Sequence, residues 1–503
     1  MFMKFRTACS LLCYLTGALT CFARDYRVDT QAKFDLISTI GLKPRDAILL
    51  KSDMRFSGML APKGNGVEGA PIRIGAFGTG KPPRIDAEGK HPAAVFLKNP
   101  LYWEVHGLEV TNTNGKDEDQ GSLFGIYVLA TEIEGVYRHV YINNCHVHDV
   151  NGMVAGKNRG GIHIDVKNLN KTIFDDLRIT DNRVENVGGV GISNSSSCGR
   201  VRILPDREET ENLWTRVYVA GNTVDFTGRN NIIARVSKDA IYEHNVLANS
   251  SRSDTGHSIF CFNTDGIKIQ YNEAYGNVGD VNNKDGHGES DRGGFDADYN
   301  CVKTFIQYNY SHDNLWFCGI MKKPGRNYVI RYNISENDRL GIYFYGFDRE
   351  KSVENVHIYN NTHYVRKGLD VSVFAEGRTP LNTTFENNVF HFEEKGEWGK
   401  NATGINTVFR NNLYYNIEPH PSETSPVVAN PGLVRAGIAG QGIDLKIMAR
   451  LRGYQPMAGS PCIDAGIAIK DHGGVDILKA AVEPARADIG AVEFVDPELS
   501  SKN

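Results

Sequence analysis

Two stretches of the chain, IQYNYSHDN (residues 306–314) and IRYNISEND (residues 330–338), follow one pattern. Each has apolar and polar residues in alternation, then an asparagine, then a short polar turn. The same phrase occurs ten times, at intervals of roughly two dozen to forty residues, which is typical of a solenoid with variable loops. Its asparagines are Asn143, Asn182, Asn222, Asn245, Asn272, Asn309, Asn333, Asn361, Asn388 and Asn412.

These repeats predict an all-β fold. The apolar residues alternate over short runs, as in strands, and long helical periodicity is missing. Asparagine tolerates left-handed backbone angles, and its amide can bond to the amide of the next coil. The pattern therefore predicts a right-handed parallel β-helix of about ten or more coils, each with about three short strands, stacked roughly 4.8 Å apart.

The ends of the chain predict export and a cap. Lys4 and Arg6 precede an apolar run over residues 8–22, which is typical of a signal peptide over residues 1–23. We expect residues 24–503 to form one domain, with residues 420–503 as irregular C-terminal coils and a cap. The mature protein is then expected in the periplasm, outside the cell or on its surface, without a membrane span.

Charge gives no sign of a nucleic-acid partner. The formal net charge is −4, and no basic run is longer than Lys322–Lys323. The six cysteines after the signal peptide are scattered, which fits small buried side chains as well as disulfides. We expect a monomer.

The stretch GGFDADYN (residues 293–300) carries two aspartates on one strand. Because successive strand residues face opposite sides, Phe295, Ala297 and Tyr299 are predicted to point inward, and Asp296 and Asp298 outward. Aligning the equivalent strand of each coil predicts one outward column: His163 and Asp165, Ser193 and Ser195, Arg235, Phe260 and Phe262, Asp296 and Asp298, Met321 and Lys323, Tyr343 and Tyr345. A one-residue slip would place Lys322 there instead of Lys323.

This column mixes acids, bases and aromatics, as a carbohydrate-binding groove would. The long insertion at residues 276–292 adds His287, Glu289 and Asp291 at the edge of the same strand. We expect the sugar to contact Asp165, Phe260, Phe262, Tyr345, Lys322, His287 and Glu289.

Longer phrases resemble a known group of proteins. They are APIRIGAFGTGKPPRI (residues 70–85), YWEVHGLEVTN (residues 102–112), GGFDADYNCVKTFIQYNYSHDN (residues 293–314), and SPCIDAGIAI with ADIGAVEF (residues 460–469 and 487–494). Together they resemble the secreted right-handed β-helix proteins of the pectate-lyase-like superfamily from glycan-degrading bacteria. The resemblance implies an enzyme that acts on polysaccharides and does not select the reaction.

The first functional hypothesis is a polysaccharide lyase acting on an acidic glycan, either glycosaminoglycan-like or pectin-like. β-Elimination needs the uronate carboxylate neutralised, either by Arg235 or by Ca²⁺ bound to Asp296 and Asp298 with Asp265. No organic cofactor is expected.

The same hypothesis assigns a base and an acid. Lys323, or Lys322 in the shifted register, is the expected base for the C5 proton. Tyr343, Tyr345 or His163 is the expected acid or alternative base.

Two alternatives stay open. A glycoside hydrolase would use two carboxyls across the scissile bond, either Asp296 with Asp298, or Asp298 with Asp165 or Glu289. A non-catalytic, adhesive β-helix would carry stacking aromatics without an acid–base pair.

Overall fold

The computed structural model describes residues 23–116, 121–151, 156–167, 171–199, 212–278, 291–321, 325–345, 353–374, 381–399, 405–437, 440 and 449–495. The described chain is almost entirely strand and turn. It has one α-helix, Gln31–Ile37, and one 3₁₀ helix, Ala449–Tyr454. The predicted signal peptide, residues 1–23, lies outside the described residues except for its last position.

Nearly all described strands belong to three long sheets, which we call sheets 1, 2 and 3. Sheet 1 has fourteen strands: Asp25–Val28, Ala47–Lys51, Ile72–Phe77, Trp103–His106, Val136–Asn143, Ile173–Thr180, Thr215–Ala220, Ile241–Glu243, Lys268–Gln270, Phe305–Gln307, Arg326–Arg331, Glu354–Tyr359, Leu381–Glu386 and Val408–Arg410.

Sheet 2 also has fourteen strands: Arg55–Ser57, Arg84–Asp86, Glu109–Asn112, His146–Val150, Arg183–Val187, Thr223–Thr227, Val246–Ala248, Glu273–Tyr275, Tyr310–His312, Ile334–Glu336, Thr362–Val365, Val389–Phe392, Leu413–Tyr415 and Val427–Val428. Sheet 3 has ten: Ala93–Lys98, Phe124–Thr131, Gly160–Lys167, Val190–Ser196, Ile232–Arg235, Ile259–Phe262, Gly293–Ala297, Trp316–Ile320, Gly341–Tyr345 and Ser372–Phe374. A short fourth sheet pairs Gly41–Leu42 with Lys63–Gly64.

The chain visits sheets 1, 2 and 3 in turn, and each strand pairs in parallel with the equivalent strand of the next coil. One continuous apolar core fills the space between the sheets. The predicted right-handed parallel β-helix is therefore confirmed.

A ladder of buried asparagine side chains runs along the turn between sheets 1 and 2. The Nδ2 of Asn309 donates to Oδ1 of Asn333 at 3.0 Å, and its Oδ1 accepts from the backbone N–H and the Nδ2 of Asn272. Its Nδ2 also donates to the carbonyl of Ile269, in the coil before. The same bonds repeat through Asn182, Asn222, Asn245, Asn272, Asn309, Asn333, Asn361, Asn388 and Asn412.

One predicted rung is wrong. Asn143 ends its sheet 1 strand, and the ladder position of that coil belongs to Cys145, whose backbone N–H donates to Oδ1 of Asn182. The ladder ends at Asn412, where Glu423 accepts from Nδ2 at 2.9 Å. A backbone N–H and a carboxylate therefore terminate the amide chain at its two ends.

The C-terminal segment does more than cover the last coil. After the final sheet 2 strand, Val427–Val428, residues 449–495 pack back along the turns between sheets 1 and 2. Tyr454 donates to Oε2 of Glu336 at 2.6 Å, and Asn360 donates to the carbonyls of Asp488 and Gly490. Its apolar residues join a second core with the tyrosines at those turns. This part of the predicted cap therefore lies along the side of the solenoid.

No helix among the described residues is long and apolar enough to cross a membrane.

Replacing Asn309 with alanine is expected to destabilise the fold by about 3 kcal/mol or more. The change leaves several buried amide and carbonyl groups unpaired, at roughly 1–3 kcal/mol each. Urea denaturation checks this. Asn355→Gly is the control, because Asn355 lies in an exposed amide pair at 3.2 Å and glycine tolerates its φ of 58°. Equal unfolding free energies for the two variants would contradict a structural role for the ladder.

The C-terminal segment is expected to lose stability as the pH rises from about 4.5 to about 8. Burial raises the pKa of Asp476 to about 6 and that of Glu493 to about 8, and Asp488 adds to the second increase. The folded state then binds more protons than the unfolded state across this window, so deprotonation favours unfolding.

Melting temperatures at pH 5 and pH 8 measure this loss of stability. Glu493→Gln should reduce the difference between the two melting temperatures. Glu394→Gln, at a half-exposed carboxylate, should leave it unchanged. A wild-type protein that is more stable at pH 8 would contradict the assignment.

Candidate active site

The predicted column lies on the outer face of sheet 3. Strand pairing aligns His163, Ser193, Ile233, Phe260, Asp296, Gly319 and Phe344 in successive coils. Two residues further along each strand lie Asp165, Ser195, Arg235, Phe262, Asp298 and Met321. Because their neighbours Ile164, Ala234, Cys261 and Ala297 belong to the core, these side chains face away from it.

Three tyrosines are oriented differently from the prediction. Tyr343 and Tyr345 are fully buried in the main core, where the Tyr343 hydroxyl bonds to Nε2 of His363 at 3.0 Å. Neither side chain reaches the outer face, so their predicted roles as acid and sugar contact are wrong. Tyr299, predicted to point inward, is partly exposed and stacks on Phe262 with ring centroids 5.6 Å apart.

The predicted base is not placed by the structure. Lys322 and Lys323 lie outside the described residues, as do His287 and Glu289. The residues that align with Asp296 and Asp298 are Gly319 and Met321, which precede these lysines.

Asp296 occupies a niche made by a glycine and a histidine. A Cβ at Gly319, in the next coil, would lie 2.7 Å from Oδ1 of Asp296, so only glycine leaves room for the carboxylate. The Nε2 of His257 lies 3.6 Å from Oδ2 of Asp296 and 3.6 Å from Oδ1 of Asp291. Asp296 is 1% exposed, so it is enclosed behind these neighbours.

The tautomer of His257 follows from its backbone partner. Its Nδ1 accepts the N–H of Gly293 at 3.0 Å, so the proton of the neutral ring is on Nε2, facing both carboxylates. Burial lowers the pKa of His257, but Asp296 and Asp291 raise it more, and the net change is upward. A second proton on Nδ1 would require loss of the Gly293 hydrogen bond.

Asp291, Asp296 and Asp298 form an acidic cluster, in which Asp291 is the most exposed carboxylate and Asp298 is 8% exposed, against 1% for Asp296. The Asp291 side chain is 27% exposed, and Asp298 follows the last residue of the strand Gly293–Ala297. The negative charges of both carboxylates interact with the ammonium group of Lys157. Burial and Arg229 lower the pKa of Lys157, while Asp291 and Asp298 oppose that decrease.

Cations and aromatic rings surround these acids. The Lys157 ammonium lies 4.8 Å from the centroid of the Phe260 ring, which is buried against Val190 and Ile233. Arg229 pairs with Asp254 at 2.7 Å. Arg235 donates to the carbonyl of Asn194 and to the side chain of Asn158. Phe260 therefore supports Lys157, whereas Phe262 and Tyr299 form a partly exposed aromatic rim.

His163 and Asp165 form a separate, closed network. His163 stacks on Phe124, and its Nδ1 bonds to the Ser193 hydroxyl at 2.7 Å. Burial lowers the pKa of His163 to about 4, so the ring is neutral. Asp165 accepts from Ser195 at 2.6 Å and from Tyr127 at 3.1 Å.

This network is too far away to share a reaction with the acidic cluster. His163 and Asp296 occupy positions four coils apart in one column, about 19 Å at the usual strand spacing. The hydrolase pair of Asp298 and Asp165 is therefore wrong, and His163 cannot act in one reaction with Asp296.

The geometry gives no support for the predicted calcium site. Among the described residues, no group of three or more His, Cys, Asp or Glu side chains is placed to hold a metal ion. The backbone of Asp265 forms isolated β-bridges with Lys238 and Val302, at a turn beyond the strand of Phe262. Asp296 faces an imidazole N–H. Calcium binding stays a prediction, and the arrangement of these residues does not fit a calcium site.

Sequence reasoning missed His257, Lys157 and Arg229. The signal for His257 was its position just before the strand Ile259–Phe262, one coil from Asp291 and Gly293. Lys157 precedes a strand three coils from that of Phe260 and carried no signal, because no strand periodicity places its side chain against that ring.

Comparisons with known proteins identify relatives among glycoside hydrolases. The chain is 27% identical, over 567 aligned positions and 91% of its length, to a lacto-N-biosidase of Bifidobacterium longum subsp. longum, and spans 34% of that protein. It resembles the crystal structure of the GH136 lacto-N-biosidase from Eubacterium ramulus, with a TM-score of 0.63 and 21% identity over 73% of this chain and 68% of that one.

A second solved fold, XylC in complex with xylose, matches 94% of this chain and 98% of its own, with a TM-score of 0.54 and 11% identity. No family model matches the sequence. At these identities, the solved structures are evidence of a shared fold.

The predicted polysaccharide lyase is wrong. The curated relative that aligns with nearly the whole chain is a lacto-N-biosidase, and the E. ramulus structure carries the glycoside hydrolase designation GH136. The resemblance to pectate-lyase-like proteins holds for the parallel β-helix of carbohydrate-degrading enzymes and does not extend to elimination chemistry.

Gly319→Ala is expected to destabilise the protein by about 1–3 kcal/mol, because the added methyl group would overlap the Asp296 carboxylate. The unfolding free energy in urea measures this. Gly75→Ala is the matched control, since a Cβ there meets nothing closer than 3.8 Å. If the two variants were equally stable, the Asp296 side chain would not occupy the niche described.

Proposed function

We propose that this chain is a glycoside hydrolase and that Asp291 and Asp298 are its two reacting carboxyl groups. The observation that carries the proposal is the acidic cluster on the outer face of sheet 3. The charges of Asp291 and Asp298 act on Lys157, and Nε2 of His257 lies 3.6 Å from both Asp291 and the enclosed Asp296. The relative named lacto-N-biosidase, aligned with 91% of the chain, supports the hydrolase class.

Glycoside hydrolysis needs one carboxyl group that donates a proton and one carboxylate that acts as base or nucleophile. Asp291 and Asp298 suit these roles because they are the more exposed carboxyl groups of the cluster: the Asp291 side chain is 27% exposed, and Asp298 is 8% exposed. Asp296 does not, since it is enclosed between His257 and Gly319. We therefore assign Asp296 a positioning role that acts on Asp291 through His257.

The surrounding charges favour a state in which one carboxyl group of the cluster is protonated while another is ionised. Three carboxyl groups crowd one pocket, and like charges at short range disfavour ionising all of them. Lys157 stabilises the carboxylate that must stay ionised. The N–H of His257, whose orientation is held by Gly293, gives Asp291 a preferred orientation.

The proposed substrate is a lacto-N-biose-containing oligosaccharide, the type that the relatives' name indicates. The chain covers about a third of the B. longum protein, so the activity of that whole protein comes to this chain only as a proposal. The rim of Phe262 and Tyr299 provides an aromatic surface on which a pyranose ring can stack. Export and a monomeric state remain predictions.

Asp291→Asn and Asp298→Asn are each expected to lower kcat on p-nitrophenyl β-lacto-N-bioside by about 10²–10⁴-fold, as removal of a proton-transferring or nucleophilic group does. Asp296→Asn should cost less, because its carboxyl group touches no substrate. Asp165→Asn, about 19 Å away in a closed network, is the matched control and should retain wild-type activity.

Colorimetric release of p-nitrophenol measures all four variants. Full activity in Asp291→Asn or Asp298→Asn would remove that residue from the pair. If wild-type protein released no product from this compound or from lacto-N-tetraose, the proposed substrate would be wrong.

A further inference from the structure

A groove outside the proposed active site is lined in part by the loop at residues 251–255. It follows the turns between sheets 2 and 3 across several coils and has a volume of about 540 Å³. Its walls include Arg84, Asp149, Asn186, Phe226, Arg252 and Ser253. The next residue, Asp254, pairs with Arg229, whose charge acts on Lys157 of the proposed active site.

Phe226 is an anomaly at this position. Strand pairing aligns one left-handed residue from each of seven successive coils: Asp149, Asn186, Phe226, Asn249, Gly276, Asp313 and Asn337. Six of the seven are Asn, Asp or Gly, the residues that adopt this conformation most readily. Phe226 adopts it with φ of 51°, so the backbone there is strained.

The same ring is also poorly buried. Phe226 is 42% exposed, so it gains little from packing to offset the strain. It also interrupts a series of polar contacts, since Asn186 donates to Asp149 on one side and Asn249 donates to Asp225 on the other. Asparagine would suit this backbone conformation better, and a strained residue whose ring lines a groove supports a hypothesis of function there.

Arg252 completes the arrangement. Its guanidinium carbon lies 4.6 Å from the centroid of the Phe226 ring. Among the described residues no carboxylate pairs with Arg252, and its side chain is exposed. An aromatic ring beside a guanidinium group, with an amide, a carboxylate and a hydroxyl nearby, suits a sugar, because rings stack on pyranose C–H groups and polar groups bind hydroxyls.

We propose that this groove is a second saccharide-binding site, in which a pyranose ring packs on Phe226 and hydrogen-bonds to Arg252. It lies one loop away from the acidic cluster, so it would hold a part of the glycan remote from the cleaved bond. That last assignment rests on the proposed function, whereas the binding site itself does not.

Native electrophoresis of the mature chain in gels containing gastric mucin, arabinogalactan or xylan tests the proposal. At least one glycan should retard the wild-type protein, and Phe226→Asn should weaken its apparent affinity about tenfold, the effect of losing one stacking contact. Arg252→Ala should weaken it in the same gels. Ile133→Asn, which removes another exposed apolar side chain, is the control and should bind as wild type does.

The melting temperature separates binding from structure. Phe226→Asn should melt at or above the wild-type temperature, because asparagine relieves the left-handed strain. A substantially lower melting temperature would make Phe226 structural and overturn the proposal. So would unchanged retardation of Phe226→Asn, or no retardation of wild type by any of the three glycans. If wild type binds through Phe226 but hydrolyses nothing, the second site stands and the proposed function fails.

Discussion

The buried asparagine ladder is the constraint on which the rest of the molecule depends. Each amide bonds to the amide in the next coil and to a carbonyl in the coil before, so each coil from Asn182 to Asn412 has its register fixed at one point. Strand periodicity then determines which side chains enter the core and which leave it. The loops between sheets 2 and 3 can vary in length without disturbing that register.

The acidic cluster is a local consequence of the same stacking. Coils only about 4.8 Å apart place the side chains of one column in contact, so room for Asp296 depends on a glycine in the following coil. His257 enters from the coil before, where its ring occupies the space that a side chain at Gly293 would fill. Two glycines and one histidine thus bring Asp296 and Asp291 to the same imidazole nitrogen, Nε2 of His257.

The sequence was sufficient to predict the coils and part of the outer column. Nine of the ten predicted asparagines form the ladder, and Asp296, Asp298, Arg235 and Phe262 lie on the predicted face. The prediction for the tyrosines failed because Tyr343 was placed in the column of Asp296, whereas strand pairing aligns it, through Cys318, with the inward-facing Phe295. That one-residue slip turned Tyr343 and Tyr345 outward. The prediction of the reaction failed for another reason. The reaction depends on loop residues such as Lys157, whose position no periodicity specifies.

The central claim is that the chain cleaves its glycan by hydrolysis, and the fate of the solvent oxygen tests this most directly. The purified chain would be incubated with lacto-N-tetraose in water enriched in ¹⁸O, and the products analysed by mass spectrometry. Hydrolysis predicts that the two products together gain one water and that a single ¹⁸O atom appears at the newly formed reducing end. Products whose masses sum to that of the substrate, with no label and a new double bond, would mean elimination and would contradict the account.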